Sequence, residues 1–243
     1  MIEVRNLNKS FDGQQVLSAV CGSFEEGKTN LVIGRSGSGK TVLLRCLIGL
    51  LKPEDGNILY DGRDFFSLDS KALQLLRQEM GVVFQGAALF DSMNVLDNVM
   101  FPLTFFSKEP VDTQKAMAQE CLERVGMLDA MKKTPAELSG GMQKRVAIAR
   151  AIVLRPKYLF CDEPTSGLDP VTAQLIDELI HSLTVDFGMT TVINTHDMHS
   201  VLGIGENILF IHEGKAAWQG TKDNVLHSGN TLLETFMKPA LML

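Results

Sequence analysis

Three short runs carry side chains that could handle a phosphate chain. GRSGSGKT, residues 34–41, fits G-x-x-x-x-G-K-[ST], the spacing of a loop whose backbone N–H groups turn inward around phosphates. Gly34, Gly37 and Gly39 permit the turn, and Arg35, Ser36 and Ser38 complete it. The helix expected from Thr41 onward adds roughly half a positive charge at the loop. Lys40 is set to reach the β- and γ-phosphates, and the Thr41 hydroxyl to bind Mg²⁺. YLFCDEP, residues 158–164, runs four mainly apolar residues into two acids. A buried strand that ends in a carboxylate suits a Mg²⁺ ligand, the role expected of Asp162, directly or through water. Glu163, expected on the other side of that strand, is placed to polarise a water. LSGGM, residues 138–142, opens another helix: Ser139 is a natural N-cap, and Gly140 and Gly141 allow close backbone approach. It is a second anion-binding helix end, although taken alone it is an ordinary capped helix start.

The elements that must hold these runs follow from pattern. IEVRNLNKSF alternates apolar and polar residues before an Asp12-Gly13 turn, which reads as a strand entering a hairpin. TNLVIG, then the glycine loop, then TVLLRCLIGLL is strand, loop and helix, one unit of an α/β fold. KPEDG is a turn, NILYDG a short strand and MGVVF an apolar strand. From about residue 94 to 155 the reading turns helical, with VDTQKAMAQECLERVGM and GGMQKRVAIARAIVL both periodic. The α/β pattern resumes with strand YLFCDEP, helix VTAQLIDELIHSLTV, strand TTVINTH and a strand NILFIHEGKAAWQG.

Composition bounds the function classes. The chain has 243 residues, 45% hydrophobic and 21% charged, with a formal net charge of −6 and Lys and Arg scattered along it. That argues against a nucleic-acid partner, which demands a basic patch. The longest run without formal charge, residues 13–24, falls short of the ~20 apolar residues of a membrane helix. MIEVRNL carries charge where a signal peptide has its apolar core, so the expected place is the cytosol. Cys21, Cys46, Cys121 and Cys161 lie far apart with no C-x-x-C pair, which reads as buried reduced thiols. Residues 81–107 carry only Asp91 and Asp97 as formal charges. This weakly charged segment, QGAALFDSMNV at its centre, either joins a core or waits for a partner.

Taken together, in this order, the runs resemble the ATP-binding cassette (ABC) family of ATPases from about residue 2 to 220. GRSGSGKT is similar to its Walker A, YLFCDEP to its Walker B with the catalytic glutamate, and LSGGM to its signature. Gln85 sits at the Q-loop position, SGLDP (residues 166–170) matches the D-loop, and His196 in NTHD matches the switch histidine. Phe11 stands where the family places an aromatic that stacks on adenine; Phe in place of the usual Tyr keeps the π-face. By themselves Phe11 would be core and His196 an ordinary strand-end histidine.

The resemblance implies an α/β fold, with a RecA-like P-loop NTPase core, an N-terminal antiparallel β region and an inserted α-helical signature subdomain. The core is expected at about residues 2–86 and 156–225, the helical subdomain at about 87–155, and a short tail at 226–243. It implies ATP and Mg²⁺, with Lys40 and the loop on the phosphates, and Thr41, Asp162 and Gln85 on the metal and γ-phosphate. Glu163 would activate water and His196 bridge water and γ-phosphate. Two copies would pack head to tail, so that Ser139, Gly140, Gly141 and Asp169 serve the partner copy's ATP and a monomer hydrolyses poorly.

Within the family a chromosome-type ATPase needs a coiled-coil insertion, and a translation-factor type needs two cassettes. Length and a single motif set favour a transporter motor, peripheral on the cytoplasmic face of the inner membrane. QGAALFDSMNVLDNVMFPL resembles the Mla-type phospholipid-transport branch, matching at Gln85, Ala88, Leu89, Phe90, Met93, Val95, Asp97, Asn98, Val99, Phe101, Pro102 and Leu103. That implies an integral permease (MlaE-like), an MCE-domain protein (MlaD-like) and room for a STAS-domain subunit (MlaB-like). A small-solute importer is the alternative. The apolar tail TLLETFMKPALML either packs on its own core or docks on a partner.

Overall fold

The protein is described here by a computed structural model covering residues 1–238; the last five residues of the tail motif lie outside it. Along the chain, strands β1 (Ile2–Phe11) and β2 (Gln14–Phe24) form the expected hairpin, followed by β3 (Thr29–Ile33) and helix α1 (Lys40–Leu47). Next come β4 (Asp55–Tyr60), the two-residue β5 (Arg63–Asp64), α2 (Ser70–Gln78) and β6 (Met80–Val83). The helices α3 (Val95–Phe106), α4 (Val111–Arg124) and α5 (Gly140–Ile152) form the helical subdomain. The chain returns through β7 (Tyr158–Asp162), α6 (Pro170–Phe187), β8 (Thr190–Thr195) and α7 (Met198–Ile204). It closes with β9 (Asn207–His212), β10 (Lys215–Gly220), α8 (Lys222–Val225) and α9 (Thr231–Met237).

NILFIHEGKAAWQG, expected as one strand, is two: β9 and β10 pair antiparallel, and the chain reverses at Glu213 and Gly214, both at positive φ. Helices α2 and α7 were not anticipated from the sequence. Asp69 and Asp197 cap them, each accepting a backbone N–H with its side chain.

The strands make two sheets. An antiparallel sheet has the order β2-β1-β4-β5, and a six-stranded sheet the order β10-β9-β3-β8-β7-β6, parallel from β9 to β6. The parallel strands are buried on both faces, which is why they read as nearly continuous apolar runs. Their side chains alternate between two cores, as the two-residue period of a strand demands. Val32, Tyr158, Phe160, Val192, Leu209 and Ile211 pack with α1 and the antiparallel sheet. Leu31, Ile33, Leu159, Cys161, Ile193, Ile208 and Phe210 pack on the opposite face, with residues of α3, α4, α5, α6 and α9. This parity decides where the ends of the strands aim their polar residues.

The described part of the tail packs on its own chain. Leu233 and Met237 are buried, and the Phe236 ring lies 5.3 Å from that of Phe210.

Candidate active site

In a parallel sheet the crevice beyond the carboxyl ends of the strands is the natural binding site. Here β3 delivers the glycine loop, β6 delivers Gln85, β7 delivers Asp162 and Glu163, and β8 delivers His196. Arg35, Ser36, Gly37, Gly39, Lys40, Thr41, Gln85, Glu163 and His196 line one cleft of about 1150 Å³. Val16, Val42, Met198, Phe210 and His212 complete its walls, with Leu232, Thr235 and Phe236 of α9.

The loop is built for an anion. Gly39 caps α1 at φ 106°, and a Cβ there would stand 2.8 Å from the Leu17 side chain and 3.1 Å from the Val16 carbonyl oxygen. Only glycine fits that turn, and it brings no side-chain acceptor to the first amides of α1. Ser38 Oγ is buried and has no hydrogen-bond partner among the described residues. Lys40, nearly buried, donates from Nζ to the carbonyl oxygens of Gly34 (2.8 Å) and Arg35 (3.2 Å). Burial pushes its ammonium pKa down, against the opposing pull of Glu163 and Asp162. A phosphate oxygen would offer that cation a stronger acceptor than a carbonyl.

Strand parity explains the aim of Asp162. Asp162 shares the face of Tyr158 and Phe160, the face of α1, and Thr41 Oγ1 lies 3.4 Å from its Oδ1. Asn194, opposite Asp162 in the register, donates to the same oxygen at 3.1 Å. The strand ends there. Glu163 is not simply the next side chain on the opposite face, as the sequence suggests: it sits beyond β7 at φ 49°. A left-handed non-glycine residue costs roughly 1–2 kcal/mol, and such strain concentrates at functional sites. The turn sets Glu163 Oε2 2.6 Å from His196 Nδ1.

The Thr41 hydroxyl and the Asp162 carboxylate fit a hard cation such as Mg²⁺, which prefers oxygen ligands and keeps several waters. No cluster of three or more His, Cys, Asp or Glu occurs among the described residues, so the protein would supply only part of an octahedral shell, the rest falling to phosphate oxygens and water. Gln85 faces the same cleft, and its Nε2 donates to Ser166 Oγ at 3.2 Å.

Phe11, Ser139, Gly140, Gly141 and Asp169 are not part of this cleft. Phe11 is exposed at the tip of the first hairpin, with Lys9 Nζ 5.2 Å from its ring. Ser139 caps α5 by accepting the Met142 N–H at 3.3 Å. Asp169 caps α6, accepting the Thr172 N–H at 3.0 Å and the Thr172 hydroxyl at 2.6 Å. Those bonds lower its carboxyl pKa. Gly141 packs against that same cap: a Cβ would stand 2.6 Å from Thr172 Cγ2.

Three polar side chains hold the segment after Gln85: Lys144 and Arg150, which the sequence did not single out, and Asn98, known from it only as a matching position. Lys144 donates to the Gln85 carbonyl, Arg150 to those of Ala87 (2.8 Å) and Ala88 (2.7 Å). Asn98, fully buried, donates to the carbonyls of Phe90, Met93 and Asn94 and accepts the Phe90 N–H. The expected conflict between core and partner is thus resolved by polar anchors. Val95, Val99 and Leu103 are buried, while Phe84 and Phe90 stay 38% and 39% exposed. With Phe101, Pro102 and Phe106 they line a second groove of about 470 Å³, with Arg77 and Arg150 at its walls.

A family model described as ABC transporter matches residues 17–166. The chain is 38% identical over 236 residues to the probable ribonucleotide transport ATP-binding protein mkl of Mycobacterium leprae, covering 97% of this chain and 68% of that one. It is 38% identical to the methionine import ATP-binding protein MetN of Clostridium acetobutylicum (93% and 70% covered). It is 36% identical to the intermembrane phospholipid transport system ATP-binding protein MlaF of Haemophilus influenzae (98% and 90%). Among solved structures it is similar to a dimeric post-hydrolysis state of the ATP-binding cassette MJ0796 bound to ADP and Pi. The TM-score is 0.82 at 31% identity, over 91% of this chain and 99% of that one. It is also similar to cbiO1 of Clostridium perfringens, part of the ABC transporter complex cbiONQ (TM-score 0.86, 31% identity, 99% and 96% covered).

Proposed function

The chain belongs to the ABC transporter family as an ATP-hydrolysing motor subunit, and we propose that its transporter moves phospholipid between inner and outer membranes, maintaining outer-membrane lipid asymmetry. The observation that carries this reading is the segment around Gln85, where exposed Phe84 just before it and Phe90 after it front the apolar groove. That groove suits a helix of the permease. The similarity to MlaF supports the same branch. The similarity to MetN favours a second reading, a small-solute importer. Residues 2–225 are read as one ATPase domain with the helical subdomain at about 87–155, and 226–243 as a tail. No described helix is long and apolar enough to cross a membrane; we read the subunit as peripheral, held on the cytoplasmic face of the inner membrane by its permease.

We assign the chain's residues the following roles. The loop amides from Gly34 to Lys40, with the Lys40 ammonium, hold the phosphates of ATP, and Phe11 stacks on its adenine. Thr41, Asp162 and Gln85 hold Mg²⁺, which when bound neutralises charge on the phosphates. Glu163 takes the proton of the attacking water, and His196 fixes its carboxylate. His196 Nδ1 stands 2.6 Å from Glu163 Oε2, within hydrogen-bond reach of that carboxylate. Ser139, Gly140, Gly141 and Asp169, outside the cleft, act on the ATP of a second copy packed head to tail.

The test is extraction of the native complex in detergent and identification of its chains and lipid. A permease with an MCE-domain protein and bound phospholipid is expected, with or without a STAS-domain subunit. A permease with a periplasmic solute-binding protein overturns the phospholipid reading.

A further inference from the structure

Lys144 is only 5% exposed, makes no salt bridge among the described residues, and has the Gln85 carbonyl as its hydrogen-bond acceptor. Burying a cation without a carboxylate is costly, so this placement asks for a reason. Arg150 and Asn98 already anchor the backbone from Ala87 to Asn94. Lys144 acts one step earlier, on Gln85 itself. The two halves of Gln85 are held by different parts of the fold: its carbonyl by α5, its side-chain amide by Ser166 beyond β7. Lys144 lies on the same helix that begins at the Ser139 cap.

We propose that Lys144 is a positioning residue for Gln85: its grip on the Gln85 carbonyl sets where the Gln85 amide stands relative to Thr41 and Asp162. A shift of α5 at its Ser139 end is then delivered to Gln85, tying the metal side of one cleft to the helix end that meets the other copy. This rests on the reading that Gln85 serves the metal.

The test compares ATP affinity of the full chain in Mg²⁺ and in EDTA, a binding readout independent of turnover. Gln85→Ala is expected to reduce the Mg²⁺ enhancement roughly tenfold, the scale of a hydrogen bond to a charged group. Lys144→Met should reduce it comparably and leave the EDTA affinity unchanged. Lys144→Gln, which keeps an N–H donor, should recover most of the loss. The double variant Gln85→Ala/Lys144→Met should be no worse than Gln85→Ala, since one residue acts through the other. Equal loss of affinity with and without Mg²⁺ in Lys144→Met, or full additivity in the double variant, overturns the proposal as a merely structural contact. A Gln85→Ala variant with its Mg²⁺ enhancement intact removes Gln85 from the metal, and the proposal falls with that reading. Should Lys144→Met not fold, Lys144→Ala, which leaves room for a water at the carbonyl, decides by the same comparison.

Discussion

His196 Nδ1 and Glu163 Oε2 stand 2.6 Å apart at the ends of the adjacent parallel strands β8 and β7. The Glu163 side chain is 16% exposed and that of His196 64%, so the carboxylate is the sheltered member and the imidazole faces solvent. With the carboxylate as general base, Glu163→Gln is expected to bind ATP and lower turnover by roughly 10²–10³, the cost of one preorganised group. His196→Ala should cost less than this in the Glu163→Gln background than alone. Parallel measurement of ATP binding and steady-state turnover checks both; turnover of Glu163→Gln near wild type removes it from the role.

Gly141 is closed by packing as well as by any ligand. With Thr172 Cγ2 at 2.6 Å from its virtual Cβ, Gly141→Ala should lower stability by about 1–3 kcal/mol. Thr172→Ser removes that methyl and keeps a hydroxyl for Asp169, so the double variant should regain most of the loss. Urea unfolding of the three variants measures it.

Asp177 gives stability a pH signature. It is buried on α6, its Oδ2 accepts the Ser200 hydroxyl at 2.5 Å, and its Oδ1 has no partner among the described residues. Burial, with Asp197 and Glu178 adding repulsion, raises its pKa from 3.8 to about 6. Between those values the folded state holds a proton that the unfolded chain has released, so this residue's effect on stability worsens as pH rises through the window. The loss above it is on the order of 2–3 kcal/mol. Asp177→Asn should remove this component, visible as a smaller difference in unfolding free energy between about pH 4 and pH 7.

Phe90 separates docking from folding. Its ring is 39% exposed, lies 4.5 Å from that of Phe101 and has the Arg150 guanidinium 5.9 Å away. Phe90→Asp is expected to leave the isolated chain folded and ATP-binding while abolishing co-purification with the permease. Unfolding of the isolated variant would make Phe90 a core residue.

The α/β class, the antiparallel region and the helical insertion were legible because periodicity is a local property. The glycine loop and the acids after YLFC announced their cleft through spacing alone. Three features were hidden. The β9–β10 reversal rests on Glu213-Gly214 in an otherwise strand-like run. The aim of Glu163 depends on a left-handed backbone, where side-chain alternation fails. Lys144 and Arg150 look like ordinary helix residues, because their acceptors are backbone carbonyls distant in sequence that leave no pattern of residue types.

The most direct test of the head-to-tail account is ATP-driven dimerisation. Ser139 lies outside its own chain's cleft and caps α5. In the Glu163→Gln background, Mg²⁺ and ATP should convert monomer to dimer in light scattering. Ser139→Arg should abolish that dimer while each monomer binds ATP with unchanged affinity. A Ser139→Arg chain that dimerises normally, or that loses ATP affinity as a monomer, would contradict it.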